Sequence, residues 1–237
     1  MAKNIISNET IKRLLKDVKE IFKNPLTDNN IYYTHDDDDM TKGYAMIVGP
    51  ENTPYFGGYY FFEFNFPYDY PFSPPYVVYM TNDGKTRFNP NLYKCGKVCI
   101  SILNTWPGEK WSACQTIRSI LLTLCSLLNN SPLENEPGIP KTHNSIEPYN
   151  RSIEYTNIQF TICKLINDIK YIQNPKFEYF YPFMLTHFIN NYDKLINFVK
   201  SKDPKIESLY VPIYSMKTTL DYKSLENLLV ETKQIIT

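Results

Sequence analysis

Three short runs of β-branched and aromatic residues, with short connections between them, most constrain the fold of this chain. The runs are Tyr44–Val48, Tyr59–Phe66 and Tyr76–Met80. Gly49-Pro50, Gly57-Gly58 and the proline-bounded segment 67–75 separate them. Residues of the first kind favour strands, whereas Gly and Pro end them. A parallel pair would need a crossover of about a dozen residues or more, so these connections predict an antiparallel meander.

Helical periodicity flanks the strands on both sides. The first apolar stripe consists of Ile11, Leu14, Leu15, Val18, Ile21 and Phe22, and the second of Ile117, Ile120, Leu121, Leu124, Leu127 and Leu128. Such spacing predicts amphipathic helices. Asn24-Pro25 is predicted to end the first helix. Ser112 and Gln115 have the capping-box pattern that would begin the second helix, and the Pro-rich segment 129–140 would end that second helix.

Further apolar spacing predicts three later helices, over Ser152–Ile172, Phe183–Lys200 and Asp221–Ile236. Helix, antiparallel strands and more helices describe an α+β protein. The length of 237 residues predicts one core domain, assigned to residues 8–170, with an extension over 171–237. An apolar stripe on the extension needs covering, so we expect it to pack on or beside the core.

Charge and cysteine content exclude several classes of protein. The net charge of zero predicts no global attraction to nucleic acid or to an anionic membrane. With neither a signal-like apolar core at the start nor an 18-residue apolar run, we expect a location in the cytoplasm or nucleus, or in the host cytoplasm for a viral protein. Five cysteines, an odd number, argue against a disulfide scaffold and predict a free thiol.

The irregular segment from Asn82 to Lys110 predicts a functional loop, because loops of this length are seldom idle connections. Within it, Cys99 lies in the short apolar stretch Val98–Leu103, which follows Phe88-Asn89-Pro90-Asn91 and can bury against the core. A thiolate is a strong nucleophile, and its thioester stays activated toward amines. A cysteine in an apolar stretch is nevertheless more often structural, so chemistry of this residue type alone does not assign a role.

Five linked motifs carry a resemblance to a known family. They are Gly49-Pro50, Thr53-Pro54-Tyr55 with Gly57-Gly58, the segment FPYDYPFSPP at 66–75, Phe88-Asn89-Pro90-Asn91, and Gly96-Lys97-Val98-Cys99. In order and spacing, the chain resembles the ubiquitin-conjugating enzymes over about two thirds of its length, through Trp111-Ser112 to Pro137. The resemblance implies the ubiquitin-conjugating fold: an N-terminal helix, a four-stranded antiparallel meander, an active-site loop and then helices, here with a C-terminal helical extension.

Other features resemble the subgroup called ubiquitin-conjugating enzyme Z. They are Asn89 where histidine is usual, the stretch Ser101–Trp106, Asn135-Glu136-Pro137-Gly138, Tyr149-Asn150 and, more weakly, Asp221-Tyr222 with Ser224-Leu225. This likeness implies that a non-standard activating enzyme and a second ubiquitin-like modifier are possible.

The family resemblance implies roles for three catalytic residues. Cys99 matches the thioester cysteine. Asn91 matches the asparagine that steadies either the oxyanion or the active-site loop, since aminolysis passes through a tetrahedral intermediate. Glu136 matches an acidic position near the site, where a carboxylate can orient the incoming lysine and assist its deprotonation. The resemblance implies no cofactor and no metal.

Partners are implied in the same way: ubiquitin or a ubiquitin-like protein, an activating enzyme, a ligase and protein substrates, with the chain itself a monomer. Phe72, Pro74 and Pro75 match one ligase-binding loop and Ser112 a second. The basic face of the first helix, with Lys12, Arg13 and Lys16, matches the surface for the activating enzyme, although such a face is usually only solvated. Ala113-Cys114 stands where the family commonly has Pro-Ala, which puts the second ligase contact in doubt.

Three other interpretations compete. Cys95 and Cys99 would need two further zinc ligands, while Cys114, Cys125 and Cys163 are predicted in helices and the histidines are scattered. A Cys-His hydrolase would have only His143 as its base. A non-catalytic binding protein of this fold is the serious alternative, and the presence of both Cys99 and Asn91 favours an enzyme over it.

Overall fold

The computed structural model describes residues 6–236, and its first helix follows the predicted pattern. Helix α1 spans Asn8–Lys23 and is capped by Ser7, whose side chain accepts a hydrogen bond from the Thr10 backbone N–H. It ends at Asn24, directly before Pro25, which is disfavoured as a helix continuation. Leu14 and Ile21 face the core, and Ile11 and Val18 are half-buried, but Leu15 and Phe22 of the predicted stripe are exposed, so only part of the stripe is the buried face.

Four antiparallel strands follow in the order β1-β2-β3-β4, which confirms the four-stranded meander. They are β1 Ile31–His35, β2 Lys42–Val48, β3 Tyr59–Asn65 and β4 Tyr76–Tyr79. Neighbours on the central pair include Ala45 opposite Phe62 and Met46 opposite Phe61. The residue pattern did not predict the position of β1, because this strand is short and lies between polar segments.

Helix α2 spans Ile117–Leu127, but the predicted start at Ser112 is wrong. The N-cap is Thr116, whose side chain accepts from the Ser119 N–H, while the Ser119 hydroxyl accepts from the Thr116 N–H. Ser112 instead accepts a backbone hydrogen bond from Gln115 in a turn. Cys114 therefore lies in this turn and not in a helix, because the apolar period begins only at Ile117.

The next helical segment begins earlier than predicted and is not uniform. Helix α3 spans Ile146–Thr156 and continues into a π-helical segment, Asn157–Lys164, before a last α-helical turn at Leu165–Asn167. The Thr161 hydroxyl donates to both the backbone and the side-chain oxygen of Asn157, a local contact that competes with the regular helical ladder. A separate 3-10 turn, Ile169–Ile172, completes the range that the sequence predicted as one helix.

Asn157 also explains one of the glycine motifs. Its Nδ2 donates to the Phe56 carbonyl at 2.9 Å, and its Oδ1 accepts from the Tyr60 hydroxyl at 2.6 Å. A Cβ atom at Gly58 would lie 1.8 Å from that Oδ1. Position 58 therefore needs glycine for the π-helical segment to approach β3 this closely.

The C-terminal part contains the two predicted helices and one unpredicted hairpin. Helix α4 spans Tyr181–Lys200 and α5 spans Tyr222–Ile236. Between them, β5 Glu207–Val211 pairs antiparallel with β6 Met216–Leu220. Only alternate residues of β5 face inward, and five residues are too few for that alternation to stand out in the sequence.

Aromatic side chains join this C-terminal part to the sheet. The Phe177 ring lies 5.1 Å from Phe61 and 5.4 Å from Tyr44, centroid to centroid, and Phe180 also contacts Phe61. The apolar stripe of α4 is buried; its members are Phe188, Tyr192, Leu195, Ile196 and Val199. The extension thus shares the hydrophobic core of the sheet, as its apolar stripe predicted.

The packing of the C-terminal part on the sheet can be tested at one buried hydroxyl group, that of Tyr59. Tyr59 is fully buried and donates from its hydroxyl to the Met184 carbonyl, at the start of α4, at 2.7 Å. We expect Tyr59→Phe to lower the free energy of unfolding by about 1–2 kcal/mol, because one buried hydrogen bond is lost. Chemical denaturation measures the change. Tyr210→Phe, at a residue that is 57% exposed, is the control and should have almost no effect; equal losses would contradict the packing argument.

Within residues 6–236, no helix is both long enough and apolar enough to cross a bilayer.

Candidate active site

Cys99 lies at the end of a loop that is anchored on the edge of β4. The Tyr79 N–H donates to the Gly96 carbonyl, and Tyr93 N–H donates to Lys97. Gly96 has a φ of +88° and packs so closely that a Cβ atom would lie 2.9 Å from Val78 Cγ1. The tight turn between Cys95 and Lys97 therefore requires glycine and fixes where the chain re-enters the core at Cys99.

Asn91 and Cys99 bind each other through two hydrogen bonds. The Cys99 N–H donates to the Asn91 carbonyl at 2.9 Å, and Asn91 Nδ2 donates to the Cys99 carbonyl at 2.7 Å. Both residues are buried, with Cys99 only 2% exposed. One N–H of the Asn91 side chain is thus bonded to the loop that carries the thiol, and support of this loop is one of the two roles that the sequence analysis considered for Asn91.

Asn89 holds Asn91 in place through hydrogen bonds. Its Oδ1 accepts from the Asn91 N–H, and its Nδ2 donates to both the Tyr55 hydroxyl and the Leu127 carbonyl at the end of α2. Tyr55 in turn donates to the Phe88 carbonyl at 2.7 Å. Burial raises the pKa of Tyr55, so its hydroxyl stays protonated and can donate. An amide at position 89 therefore links the loop to two rigid parts of the core.

Arg87 is a structural residue of the site to which the sequence analysis assigned no role. Its guanidinium donates to the carbonyls of Asn89 and Pro90 and lies 3.3 Å from the centroid of the Tyr93 ring. Its own carbonyl accepts from the Tyr149 hydroxyl on α3. The signal in the sequence that could have identified Arg87 is a cationic side chain three positions before Pro90, next to a turn whose backbone carbonyls need hydrogen-bond donors.

The stretch after Cys99 is held by Thr105 and Trp111. The Thr105 hydroxyl accepts from the Ile100 N–H and lies within hydrogen-bond distance of the Val98 carbonyl. Trp111 donates from its backbone to Asn104 Oδ1 and from its indole N–H to the Pro71 carbonyl. These bonds connect the Cys99 loop with the loop that carries Phe72.

Glu136 follows a short 3-10 turn, Pro132–Asn135, and is half-buried. Its Oε2 accepts a hydrogen bond of 2.5 Å from the Tyr214 hydroxyl, in the C-terminal hairpin. In the described chain no hydrogen bond joins Glu136 to Cys99 or Asn91. The structure thus pairs Cys99 with Asn91 directly, whereas Glu136 is held by a residue that the sequence analysis did not single out.

The predicted ligase loop exposes its aromatic tip. Phe72 is 66% exposed, whereas Pro74 is half-buried and Pro75 is buried beneath it. The Ser73 hydroxyl bonds Asp69 at 2.6 Å and closes the loop. Ser112, which belongs to the second predicted ligase contact, is exposed, whereas its neighbour in sequence, Trp111, is buried.

On α1, Lys12 and Lys16 are exposed, whereas the half-buried Arg13 side chain bonds other residues of the chain. Its guanidinium bonds the buried carboxylate of Asp17 and the carbonyls of Ala113 and Gln115. Tyr70 donates to the same Asp17 carboxylate. Arg13 therefore fastens α1 to the turn in which this chain has Ala113 where the family commonly has proline, and its guanidinium is not a free cation of the basic face.

The remaining thiols and His143 differ from Cys99 in their surroundings. Burial raises the pKa of Cys125, and that of Cys163 to about 12, so both are poorly ionised at neutral pH. Cys95 is exposed, and residues 6–236 contain no group of three or more His, Cys, Asp or Glu side chains placed to hold a metal ion. The His143 ring accepts from the Ser145 N–H, and no hydrogen bond in the described part of the chain joins it to Cys99.

Comparison with known proteins agrees with this architecture. A family model described as "Ubiquitin-conjugating enzyme" matches residues 13–159. The chain is 41% identical over 163 residues to "Ubiquitin-conjugating enzyme E2 Z" of Xenopus tropicalis, covering 68% of this chain and 51% of that protein. For the human protein of the same name the identity is 40% over 161 residues, covering 67% and 45%. "Probable ubiquitin-conjugating enzyme E2 25" of Arabidopsis thaliana is 38% identical over 151 residues, covering 62% and 24%.

The chain thus spans about half the length of the two E2 Z relatives that it matches. The matched region nevertheless contains most of α1, the whole four-stranded sheet, the Asn91–Cys99 pair and α2. Since the family model covers more than half of the chain and the four-stranded meander is present, the chain belongs to the ubiquitin-conjugating enzyme family and is similar to its E2 Z members.

Proposed function

We propose that this chain accepts ubiquitin, or a ubiquitin-like protein, as a thioester on Cys99 and transfers it to a lysine of a protein substrate, usually with a ligase. The reciprocal hydrogen bonds between Asn91 and Cys99 carry this proposal. They fix the backbone on which the thiol is mounted, and a reacting group must be held in place to be efficient.

Charging is a thioester exchange. The Cys99 thiolate attacks the carbonyl carbon of the modifier's thioester on the activating enzyme, the new C–S bond forms, and the thiolate of the activating enzyme leaves. Lys12 and Lys16 on the exposed face of α1 are the proposed contacts for that enzyme. Arg13 contributes by holding α1 to the turn at Ala113.

Discharge is aminolysis. The lysine nitrogen attacks the thioester carbonyl, a C–N bond forms, the C–S bond breaks, and the Cys99 thiolate is released. The lysine must lose its proton, and Glu136 is the proposed carboxylate that orients the ammonium and receives or relays that proton. Asn91 has the proposed role of keeping the Cys99 backbone fixed while the tetrahedral intermediate forms and collapses.

Which modifier is used follows from the activating enzyme that charges Cys99. The likeness to E2 Z members favours a test of more than one modifier. Charging with purified activating enzymes, each paired with ubiquitin or a ubiquitin-like protein, is read on a non-reducing gel. We expect at least one pair to give a band that reductant removes. No such band with any pair would contradict the proposed activity. We place the protein in the cytoplasm or nucleus, acting as a monomer.

Phe72, with Pro74, Pro75 and Ser112, is the proposed ligase contact. The Trp111 indole N–H, which donates to the Pro71 carbonyl, joins the two loops that carry these residues. An exposed aromatic tip on a closed loop suits an interface contact; truncating a residue that matters to binding costs more than about 1 kcal/mol, and about 1.4 kcal/mol is tenfold in affinity. We therefore expect Phe72→Ala to slow ligase-dependent transfer about tenfold and to leave charging unchanged. Charging assays and ligase-stimulated discharge assays measure the two steps separately.

Tyr76→Ala is the matched control for Phe72→Ala. Tyr76 is 63% exposed on β4, so its truncation removes a similar aromatic surface at another place. An equal loss of charging and transfer in Phe72→Ala would show that Phe72 supports the fold and not a ligase.

A further inference from the structure

The turn of the C-terminal hairpin lies against the candidate active site. Tyr214 ends the 3-10 turn Pro212–Tyr214 that joins β5 to β6. Its hydroxyl donates to Glu136 Oε2 at 2.5 Å, although 78 residues separate the two in sequence. Its ring lies 5.8 Å from the ring of Tyr149 and 5.5 Å from the guanidinium of Arg87. One side chain of the extension therefore contacts both the acidic loop and the base of the cysteine loop.

Several contacts fix the hairpin in this place. Val211 and Met216, which flank the turn, are buried, and Met216 Sδ accepts from the Arg87 N–H at 3.3 Å. The Thr218 hydroxyl on β6 lies 2.5 Å from the Ser152 hydroxyl on α3. On β5, Glu207 forms an ion pair with Arg151. The hydroxyl of Tyr214 is thus mounted on a docked element, so its position is set before any partner binds.

Arg87 connects this contact to the cysteine. The same guanidinium that faces the Tyr214 ring donates to the carbonyls of Asn89 and Pro90. The next residue is Asn91, which binds Cys99. Glu136 and the Cys99 loop, which have no hydrogen bond with each other, therefore share Tyr214 and Arg87 as a common support.

We propose that Tyr214 is a positioning residue for discharge, and that the C-terminal hairpin completes the active centre by holding the Glu136 carboxylate. A phenol donates one hydrogen bond and a carboxylate has two oxygens, so Tyr214 engages Oε2 and leaves Oε1 to face the incoming ammonium. This inference rests on the proposed role of Glu136 in aminolysis. It assigns to the extension a task in the transfer step, for which the core alone provides no partner to that carboxylate.

The state of the phenol agrees with this role. Burial, together with its hydrogen bond to Glu136, raises the pKa of Tyr214, so the hydroxyl remains a donor through the pH range in which lysine acceptors react. A half-buried carboxylate without this donor would sample other rotamers, and orientation of the reacting group would be lost.

The test uses the full chain, charged and then separated from the activating enzyme. The rate of loss of the thioester is followed after free lysine is added. We expect Tyr214→Phe, which keeps the ring and removes only the hydroxyl, to slow discharge about fivefold with unchanged charging; the melting temperature is measured alongside to record the stability lost with the hydrogen bond. Tyr210→Phe removes an exposed hydroxyl from the same hairpin and should discharge at the normal rate.

A double-mutant cycle with Glu136→Gln separates positioning from a general structural effect. If Tyr214 acts through Glu136, then Tyr214→Phe should slow discharge no further in the Glu136→Gln background. A full additional fivefold loss in that background, or a normal rate for the single Tyr214→Phe variant while Glu136→Gln is slow, would overturn the inference and leave the proposed function intact. A normal rate for Glu136→Gln would overturn the proposed role of Glu136 and this inference with it.

Discussion

Cys99→Ser is expected to abolish the reductant-sensitive conjugate with the modifier. A serine hydroxyl is a far poorer nucleophile than a thiolate, but the oxygen ester that it forms is more stable. The variant should therefore accumulate a conjugate slowly, and reductants should not cleave it. Because Cys99 is 2% exposed, a serine hydroxyl without a hydrogen-bond partner there would cost about 1–3 kcal/mol of stability, so the melting temperature of the variant is measured as well. Non-reducing and reducing gels of the same reaction measure the difference.

Cys95→Ser is the matched control, since Cys95 is a free thiol only four positions earlier and is exposed where Cys99 is buried. It should charge at the normal rate. Cys125 and Cys163 are worse candidates, because burial raises the pKa of both thiols. A reductant-sensitive adduct that survives in Cys99→Ser, or one that disappears in Cys95→Ser, would show that the reacting thiol has been assigned to the wrong residue.

Asn91→Ala is expected to slow both charging and discharge. The substitution removes the 2.7 Å hydrogen bond to the Cys99 carbonyl and leaves that buried acceptor without its donor. An unsatisfied buried group costs about 1–3 kcal/mol, and if the reacting geometry bears this cost the rates fall about ten- to hundredfold. Single-turnover charging and lysine discharge, each followed on non-reducing gels, measure the two rates.

The two roles considered for Asn91 separate in this experiment. Support of the loop acts on every step that uses the Cys99 thiol, whereas oxyanion stabilisation by the amide in aminolysis acts on discharge. The observed contact favours loop support. Normal charging combined with slow discharge would contradict it, because loss of loop support should slow charging as well; the second N–H of Asn91 Nδ2 would then be the donor to the oxyanion. Thr105→Ala, on the other side of Cys99, is a useful comparison, since its hydroxyl also bonds this loop.

Arg13 shows why a residue that matches a family surface can have another task. Its place on the basic face of α1 predicts a contact with the activating enzyme. In the folded chain its guanidinium instead bonds Asp17 and the carbonyls of Ala113 and Gln115. The helical spacing predicts that Arg13 lies on the basic face of α1. It cannot predict that the turn at Ala113, about a hundred residues later in the sequence, supplies the hydrogen-bond acceptors for its guanidinium.

The secondary structure was predictable where one signal dominated. Helix α1 ended where Asn24-Pro25 required, β2 ended before Gly49-Pro50, and β3 began after Gly57-Gly58. Errors arose where two local signals competed. Ser112 and Thr116 both precede the apolar run of α2, and only Thr116 is adjacent to its first buried residue, Ile117. The β5–β6 hairpin was missed because its strands are short and become ordered by packing on α3.

The family, the four-stranded meander and Cys99 as the candidate thiol can all be predicted along the chain, because the motifs that encode them are local and closely spaced. The Asn-Pro-Asn run and the glycine turn before Cys99 lie within a dozen residues, so their geometry depends mainly on the segment itself. What supports that segment becomes visible in the folded chain. Tyr214, Arg87 and Tyr149 meet there from three distant parts of the chain. Their meeting depends on how the C-terminal hairpin docks against α3, and long-range packing of that kind has no periodicity or spacing that can be read along the sequence.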